Sequence, residues 1–453
     1  MTFFALILIL IHYGLKFSKG VSKVVIILIT IVFSPLYVPF VLFGHYFGGF
    51  NSYFIIKFLS TRGLIFVKLF QILSTRKDLF NEKEINLLRS FQSSTKPMND
   101  ESLDKILKRN VKIFNSLVDF NKNPIHSASI AQLHIAYLNG EKVAVKIKKI
   151  NTERDAKRSL LFLQRIKKIL NLLCFYKINS VIDEVAELIN QEVDFFSEVR
   201  NIKDFKFSEN YNIVKVNIFD DLCNHEIITM KYLEGFTLKE IILNHNDFLS
   251  VEERVVLLKK LCHSFLSQVY ESGIFHADLH HSNIIVSRNK YNKILIAFVD
   301  FGCVGRLSDK DRVYLGEIFH YFTTRNYRKV AISHIEAGYV PSDVDVDSFS
   351  KQCELIGERY INNTKKANIS ELLMDVIIMA KKFRMSPQPQ LITLQKTMVM
   401  FEGIVNDVSG SGFNIYDYAR KWLIYWYIRN KFYDSKILKL LNTVKENFFN
   451  RRF

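Results

Sequence analysis

The stretch Phe275-His-Ala-Asp-Leu-His-His-Ser-Asn-Ile-Ile-Val286, followed by Val299-Asp-Phe-Gly302, decides how this chain folds. It places Asp278 five residues before Asn283 and puts Asp300 at the end of a second apolar run. Carboxylate and amide oxygens in such an arrangement orient a nucleophile and hold magnesium around a transferred phosphate. We therefore expect Asp278 to act on the nucleophile, and Asn283 and Asp300 to bind the metal ion.

The apolar segments around these residues predict the elements that present them. Residues 257–270 form an apolar helix that Gly273 ends, and residues 284–286 and 294–299 form a strand pair that leads to Asp300. No Ala-Pro-Glu follows the Asp-Phe-Gly, and helices are predicted at about 309–337. A platform for a peptide substrate is therefore not indicated.

A lysine on a strand lies upstream of these motifs. Asn139-Gly140 between two apolar runs predicts a β-hairpin whose second strand ends at Lys146. A lysine there is costly without an anionic partner, so we expect it to hold the α- and β-phosphates of ATP and pair with a glutamate. The helical stretch 181–201 offers Glu192 and Glu198 for that pairing.

The order of these motifs is that of a protein kinase. The sequence predicts an α+β, two-lobed protein-kinase-like fold, with a small β-rich N-lobe and a helical C-lobe, that binds Mg²⁺ and ATP. Kinases open this hairpin with a glycine-rich loop, but the loop here has no glycine. We expect Ser127, Ala128 and Ser129 to approach the phosphates instead, because their side chains are small.

Three histidines surround Asp278 and allow another interpretation. His276, His280 and His281 could form a transition-metal cluster. The oxygen donors Asn283 and Asp300 favour a hard cation, so we expect a structural role for His276.

The amino-terminal region is strongly apolar. Residues 24–47 contain no charged side chain over 24 residues, which is long enough to cross a bilayer. We expect a transmembrane segment there, as a single pass or, because of Pro35 and Pro39, a hairpin. A buried hydrophobic helix is the alternative. The catalytic domain should face a compartment that contains ATP.

The net charge and the cysteines restrict which partners and which metal or disulfide sites are expected. The formal net charge is +17, and residues 420–453 carry nine Lys or Arg against two Asp or Glu, together with Trp422 and Trp426. Such a basic, aromatic tail suits a membrane interface, although a helix packed on the large lobe is an equal alternative. We expect membrane lipid and no nucleic acid as a partner, since no nucleic-acid-binding motif occurs. The five scattered cysteines indicate neither a zinc site nor disulfides.

From about residue 64 to 307 the sequence resembles the UbiB family of atypical protein-kinase-like proteins, which includes the mitochondrial ADCK proteins. The resemblance rests on motifs that ordinary kinases lack. Phe66-Val-Lys-Leu-Phe-Gln-Ile-Leu-Ser-Thr-Arg-Lys-Asp-Leu-Phe80 is similar to the family's K-x-G-Q helix, and His126-Ser-Ala-Ser-Ile-Ala-Gln132 to its alanine-rich loop. Glu192-Val-Asp194 resembles its E-x-D motif and Met230-Lys-Tyr-Leu-Glu-Gly235 its hinge.

The resemblance implies roles for individual residues. Lys68, Gln71, His126 and Glu192 would belong to the nucleotide site, and Glu198 would be the partner of Lys146. The sequence departs from the family at Phe70, which replaces a glycine, at His126, which replaces an alanine, and at His281-Ser282, which replace Pro-Gly. In the family, the K-x-G-Q helix folds over the nucleotide cleft and obstructs protein substrates.

The family also implies an activity. We expect a membrane-associated ATP-dependent phosphotransferase or ATPase that supports ubiquinone biosynthesis, in the bacterial or mitochondrial inner membrane. Ubiquinone-biosynthesis enzymes or quinone precursors would be its partners. A nucleotide-gated scaffold or lipid-binding component, and a protein kinase, are the alternatives.

The expected organisation has five parts. They are a membrane anchor at 1–50, a helical extension with the K-x-G-Q-like motif at 51–123, an N-lobe at 124–234, a C-lobe at 235–419 and a basic aromatic tail at 420–453.

Overall fold

A computed structural model describes residues 97–172, 179–206, 213–361, 369–386, 388–409 and 413–431. The chain forms two compact units. The first holds the residues up to Ile135 together with Lys146–Val193, and the second holds Ala136–Val145 and the residues from Asp194 onward. The predicted membrane segment at 24–47 lies outside the described residues. Among the helices that are described, none is long and apolar enough to cross a membrane.

Helices make up most of the described chain. In chain order they are α1 (Asp100–Arg109), α2 (Val111–Asn115), α3 (Thr152–Leu172), α4 (Asn179–Val193), α5 (Phe195–Asp204), α6 (Leu238–Asn244), α7 (Val251–Leu266), α8 (Asp309–Thr323), α9 (Tyr327–Glu336), α10 (Val346–Ile361), α11 (Ile369–Lys382), α12 (Pro389–Ser409) and α13 (Ile415–Lys431). A π-helix, Ser267–Ser272, continues α7 and ends at Gly273, whose φ of 72° is left-handed. The predicted helix at 257–270 and its glycine stop are thus confirmed, with a wider last turn than expected.

The strands are short. They are β1 (His126–Ser127), β2 (Ala131–Leu138), β3 (Glu141–Lys148), β4 (Ile213–Val214), β5 (Ile227–Lys231), β6 (Phe236–Thr237), β7 (Ile274–His276), β8 (Ile284–Arg288), β9 (Ile294–Phe298) and β10 (Val304–Arg306). One sheet has the order β1-β2-β3-β5, another has the order β4-β9-β8-β6, and β7 pairs with β10. Asn139 and Gly140, with φ of 50° and 82°, make the predicted turn between β2 and β3. Strand β3 runs two residues past Lys146, where the sequence had predicted its end.

The described part of the first unit includes a capped helix. The side chain of Asn99 accepts a hydrogen bond from the amide of Ser102 and so starts α1, which buries Leu103 and Ile106. On β2, the ring of His134 stacks on Phe120 and its Nδ1 lies 2.9 Å from the carbonyl oxygen of Asn121. Burial lowers the pKa of His134, so this histidine is a neutral core residue.

The stretch 181–201, predicted as one helix, is two. Asp194 separates α4 from α5 because its carboxylate accepts hydrogen bonds from the amide and the hydroxyl of Ser197 and caps α5. Burial acts to raise the pKa of Asp194, but these bonds and the nearby Arg200 outweigh it and lower the pKa. Asp194, the last residue of the E-x-D-like motif, is thus an ionised helix cap in this structure.

The core of the second unit lies between its sheets and the long helices α7 and α12. Phe265 of α7 stacks on Phe401 of α12, with the ring centroids 4.9 Å apart. A separate cluster joins α9, α10 and α11 around the buried Phe349 and Phe383. These helices supply the large hydrophobic area that stabilises the unit.

The two tryptophans belong to this core. Trp422 and Trp426 on α13 are 2% and 6% exposed and pack beside Leu266 and Tyr270. The indole nitrogen of Trp422 donates a hydrogen bond to Nδ1 of the buried His263, at 3.0 Å. Of the two alternatives for this segment, the packed helix is therefore confirmed for the tryptophans, because their aromatic faces are covered by protein. The rest of the basic tail, from residue 432, lies outside the described residues.

Candidate active site

The catalytic loop, defined here as residues 277–283, is closed by its own hydrogen bonds. The amide nitrogen of the Asn283 side chain donates to the carbonyl oxygen of Asp278 at 3.0 Å. The backbone amides of His280 and Asn283 donate to the carbonyl oxygens of Asp278 and His280. Because Asn283 uses its side-chain nitrogen in this way, its side-chain oxygen is left as the atom that a hard cation would take.

Asp278 and Asn283 differ in exposure. The Asp278 side chain is 43% exposed, and its Oδ2 lies 3.7 Å from Nε2 of His280. Asn283 is 5% exposed. Asp278 is thus accessible to a substrate hydroxyl or a water molecule, whereas Asn283 is fixed by the surrounding protein.

His276 has the structural role that was expected. It is fully buried, its Nε2 lies 3.0 Å from the carbonyl oxygen of Val299, and its Nδ1 accepts from the amide of Asp278. Since Nδ1 is an acceptor, Nε2 must carry the proton and donate to Val299. Burial lowers the pKa of His276, which keeps the ring neutral. One imidazole therefore joins the start of the catalytic loop to the residue before Asp300.

Asp300 follows the last residue of β9 by two positions and has a left-handed backbone conformation, with φ of 63°. Its neighbour Phe301 is 1% exposed, and the Phe301 ring contacts Phe205 and His276 at centroid distances of 4.8 and 5.3 Å. Burial of the phenylalanine fixes the backbone, while the aspartate itself is exposed. A strained conformation held by a buried neighbour is common where a side chain must be aimed at a ligand.

Helix α5 reaches the Asp-Phe-Gly segment through a side chain that sequence reasoning missed. Asn201 donates to the carbonyl oxygen of Phe301 at 2.9 Å, and its own oxygen accepts from Arg306 at 3.1 Å. Arg306 also contacts Asp204 at 2.8 Å. The same helix carries Glu198, which is 3% exposed. No motif marks Asn201, because its partner lies 100 residues further along the chain.

The predicted phosphate loop belongs to the first unit. His126 and Ser127 form β1, opposite Leu133 and Gln132, and the amide of Ala128 donates to the carbonyl oxygen of Ala131 at 2.9 Å. The hydroxyl of Ser127 is buried and has no hydrogen-bond partner within the described part of the chain. A buried hydroxyl without a partner is costly, so a ligand oxygen would stabilise it. The binding of a phosphate group by this loop stays a prediction.

The other predicted nucleotide residues are placed as follows. Lys146 lies on β3 in the first unit and is half-buried, as is Glu192 near the end of α4. Ala128 and Ser129 are half-buried in the turn between β1 and β2, and His126 is exposed. Lys68 and Gln71 lie outside the described residues. Asp278, Asn283, Asp300 and Glu198 all lie in the second unit.

Two protein-family models match this chain. Residues 90–334 match the ABC1 atypical kinase-like domain, and residues 353–409 match the UbiB helical domain. The chain belongs to the UbiB family of ABC1 atypical kinase-like proteins. This membership confirms the resemblance drawn from the motifs and the kinase-like fold with a β-sheet N-lobe and a helical region.

Curated relatives agree with this family. A protein of Haemophilus ducreyi named probable protein kinase UbiB is 29% identical over 388 residues, which are 81% of this chain and 70% of that protein. One of Pseudomonas aeruginosa with the same name is 31% identical and is matched over 76% of this chain and 66% of its own length. The chain thus spans about two thirds of the length of these relatives.

A solved structure shows the same fold. It is that of Rv3197 from Mycobacterium tuberculosis in complex with erythromycin, with a TM-score of 0.52 and 18% identity, covering 75% of this chain and 87% of that one. At this identity the likeness concerns the fold alone.

Proposed function

We propose that this UbiB-family protein uses Mg-ATP, as an ATPase or a small-molecule phosphotransferase, to support ubiquinone biosynthesis at a membrane. One observation carries the proposal: a single loop, closed by the Asn283–Asp278 hydrogen bond, holds an accessible carboxylate next to an amide oxygen suited to magnesium. The buried hydroxyl of Ser127, which lacks a partner among the described residues, supports a phosphate ligand.

The predicted site residues would have separate roles in binding and turnover. Asn283 and Asp300 would hold magnesium, which neutralises charge on the phosphates when bound. Asp278 would orient the attacking hydroxyl or water and accept its proton, since its carboxylate is accessible. Lys146 and the loop at Ser127, both in the first unit, would bind phosphate oxygens.

Binding of ATP by the purified protein, with and without magnesium, tests the metal site. Asp300→Asn should abolish the magnesium dependence of binding, because an amide is a weaker ligand for a hard cation than a carboxylate. Asp347→Asn is the matched control, since that carboxylate is 80% exposed and pairs with Arg328 on a helix of the second unit. Magnesium-dependent binding that is the same in Asp300→Asn as in the unaltered protein would refute the assignment.

Hydrolysis of ATP in the presence of lipid and quinone precursors tests the proposed biological role. Vesicles of anionic lipid, a soluble quinone precursor and both together are compared with neither. Faster ATP hydrolysis with the vesicles or with the quinone precursor supports the proposed role in ubiquinone biosynthesis at a membrane. Rates that are the same in all four mixtures contradict it.

Quinone content in cells that lack the endogenous protein separates an enzyme from a nucleotide-gated scaffold. Asp278→Asn and Lys146→Ala should fail to restore quinone if turnover is required. Full restoration by both would favour the scaffold. Transfer of labelled phosphate to a partner protein would favour a protein kinase.

A further inference from the structure

Helix α12, in the region that matches the UbiB helical domain, contacts the catalytic loop at two points. The hydroxyl of Thr397 lies 3.3 Å from the carbonyl oxygen of Ala277. Ten residues further along the helix, Oδ2 of Asp407 lies 3.0 Å from Nε2 of His281. Ala277 and His281 stand on either side of Asp278.

The first contact is buried. Thr397 is fully buried, and its hydroxyl is also 2.9 Å from the carbonyl oxygen of Thr393, in the preceding turn of α12. The one proton of the Thr397 hydroxyl is shared between the carbonyl oxygen of Thr393 within the helix and that of Ala277 in the loop. Thr397 thus links α12 to the start of the catalytic loop, although its bond within the helix is the shorter of the two.

The second contact lies nearer the solvent. His281 is 26% exposed and Asp407 is 59% exposed. The loop from Leu279 to Ser282 contains neither proline nor glycine, so its backbone is not stiffened by a proline ring. The close polar contact between Asp407 and His281 would restrain the loop at a point where the sequence provides no proline.

The helix itself is firmly held. Its buried side chains include Leu394, Phe401, Ile404 and Val408, and Phe401 stacks on Phe265 of α7. Two points about 15 Å apart along a rigid helix, at 1.5 Å per residue, define the direction of the segment that they hold. Contacts on both sides of Asp278 would thus fix the position of its carboxylate more firmly than either contact alone.

We infer that α12 positions the catalytic loop, with Thr397 and Asp407 as positioning residues that act on Asp278 through Ala277 and His281. The inference rests on the proposed function, in which Asp278 orients the nucleophile. In this proposal the helical domain affects the rate of turnover through the catalytic loop and not through contact with the nucleotide. A misplacement of about 1 Å by a residue remote from the chemistry can lower a rate by up to about a hundredfold.

Steady-state hydrolysis of ATP by Thr397→Val and Asp407→Ala tests the effect on turnover. Each variant should lower kcat roughly threefold to tenfold and leave the KM for ATP within about twofold, because the loop is displaced while the phosphate contacts remain. Thr397→Ser and Asp407→Glu keep the polar atoms and should recover most of the rate. Thr393→Val, whose hydroxyl bonds to Pro389 within α12, and Asp343→Asn, whose carboxylate pairs with Arg384, are the matched controls.

Hydrogen exchange of the nucleotide-free protein tests the positioning apart from any activity. In a peptide covering residues 275–286, amides should exchange roughly fivefold faster in Thr397→Val and Asp407→Ala than in the controls. Unchanged exchange in both variants overturns the inference, as does a lower Tm with no change in loop exchange or kcat. Failure of the unaltered protein to bind Mg-ATP would instead refute the proposed function, and the exchange result would still decide the loop's anchorage.

Discussion

Asn201 on α5 donates its side-chain amide to the carbonyl oxygen of Phe301, so one side chain ties the helix that carries Glu198 to the Asp-Phe-Gly segment. The same amide group accepts from Arg306, which follows that segment. Movement of α5 and of Asp300 should therefore be coupled. The Asn201 side chain makes both contacts because an amide carries a donor and an acceptor.

Asn201→Asp should uncouple the movement of α5 from that of Asp300. The carboxylate has the same shape and still accepts from Arg306, but it cannot donate to the carbonyl oxygen of Phe301 and places a negative charge beside it. We expect kcat for ATP hydrolysis to fall about tenfold. Asp204→Asn is the control, because it weakens the ion pair of Arg306 and leaves the Asn201–Phe301 bond in place. An equal loss in both variants would contradict a special role for Asn201.

Ser127→Ala should weaken nucleotide binding without destabilising the nucleotide-free protein. Its buried hydroxyl has no hydrogen-bond partner in the described residues, so its removal breaks no bond. We expect the Kd for Mg-ATP to rise about threefold to tenfold, the value of a lost hydrogen bond of about 1 kcal/mol, while Tm stays equal or rises. Calorimetric titration and thermal unfolding measure the two effects.

Ser267→Ala is the matched variant for this experiment. Ser267 begins the π-helix, and its hydroxyl is likewise buried without a partner among the residues described. Its removal should have the same small effect on Tm and none on Kd. A Kd that is unchanged in Ser127→Ala would show that the hydroxyl does not contact the phosphates.

Tryptophan fluorescence should be insensitive to membranes. Trp422 and Trp426 are the only two tryptophans of the chain, and both are buried against α7 and the π-helix. We expect an emission maximum typical of buried indoles that does not shift when anionic vesicles are added, even if the protein binds them. A blue shift, or quenching by brominated lipid, would place these residues in the bilayer and contradict their burial.

Local signals predicted much of the fold. Asn139-Gly140 and Gly273 mark a hairpin and a helix end because their left-handed conformations exclude most other residues. The apolar runs before Asp300 likewise gave β8 and β9. These features depend on neighbours in the sequence, and their physical causes are local.

Other features depend on partners far along the chain and could not be predicted. Asn201, Thr397 and Asp407 are ordinary polar residues until folding brings them to Phe301, Ala277 and His281. The sequence left two alternatives for the tryptophans for a related reason, since a basic, aromatic segment has the same composition whether its aromatic side chains face lipid or protein. Asp194 was predicted within a helix, although an aspartate followed three residues later by a serine that it can bond is also able to start one.

Gly305→Ala should destabilise the pairing of β7 with β10. Gly305 lies opposite Phe275, and a Cβ atom added at Gly305 would overlap the Phe275 ring, which is fully buried. Overpacking of this kind costs about 1–3 kcal/mol of unfolding free energy. Gly403→Ala, within α12 and with open space around the added atom, should instead stabilise the protein by about 0.5–1 kcal/mol. Urea unfolding of both variants measures the change in unfolding free energy. A change of the same sign in both variants would refute the prediction.

Stability should decrease as the pH falls below about 6.5, partly because of His334. Burial lowers the pKa of this histidine from 6.5, and its Nδ1 lies 2.8 Å from the carbonyl oxygen of Val330. Below pH 6.5 the unfolded chain takes up a proton that the folded chain does not, so the unfolding free energy falls by up to about 1.4 kcal/mol per pH unit until the folded pKa is reached. His334→Asn keeps a donor near the carbonyl and cannot titrate, so its stability should depend less steeply on pH. Urea unfolding between pH 7.5 and 5 compares it with His225→Asn, at an exposed site, which should retain the full slope.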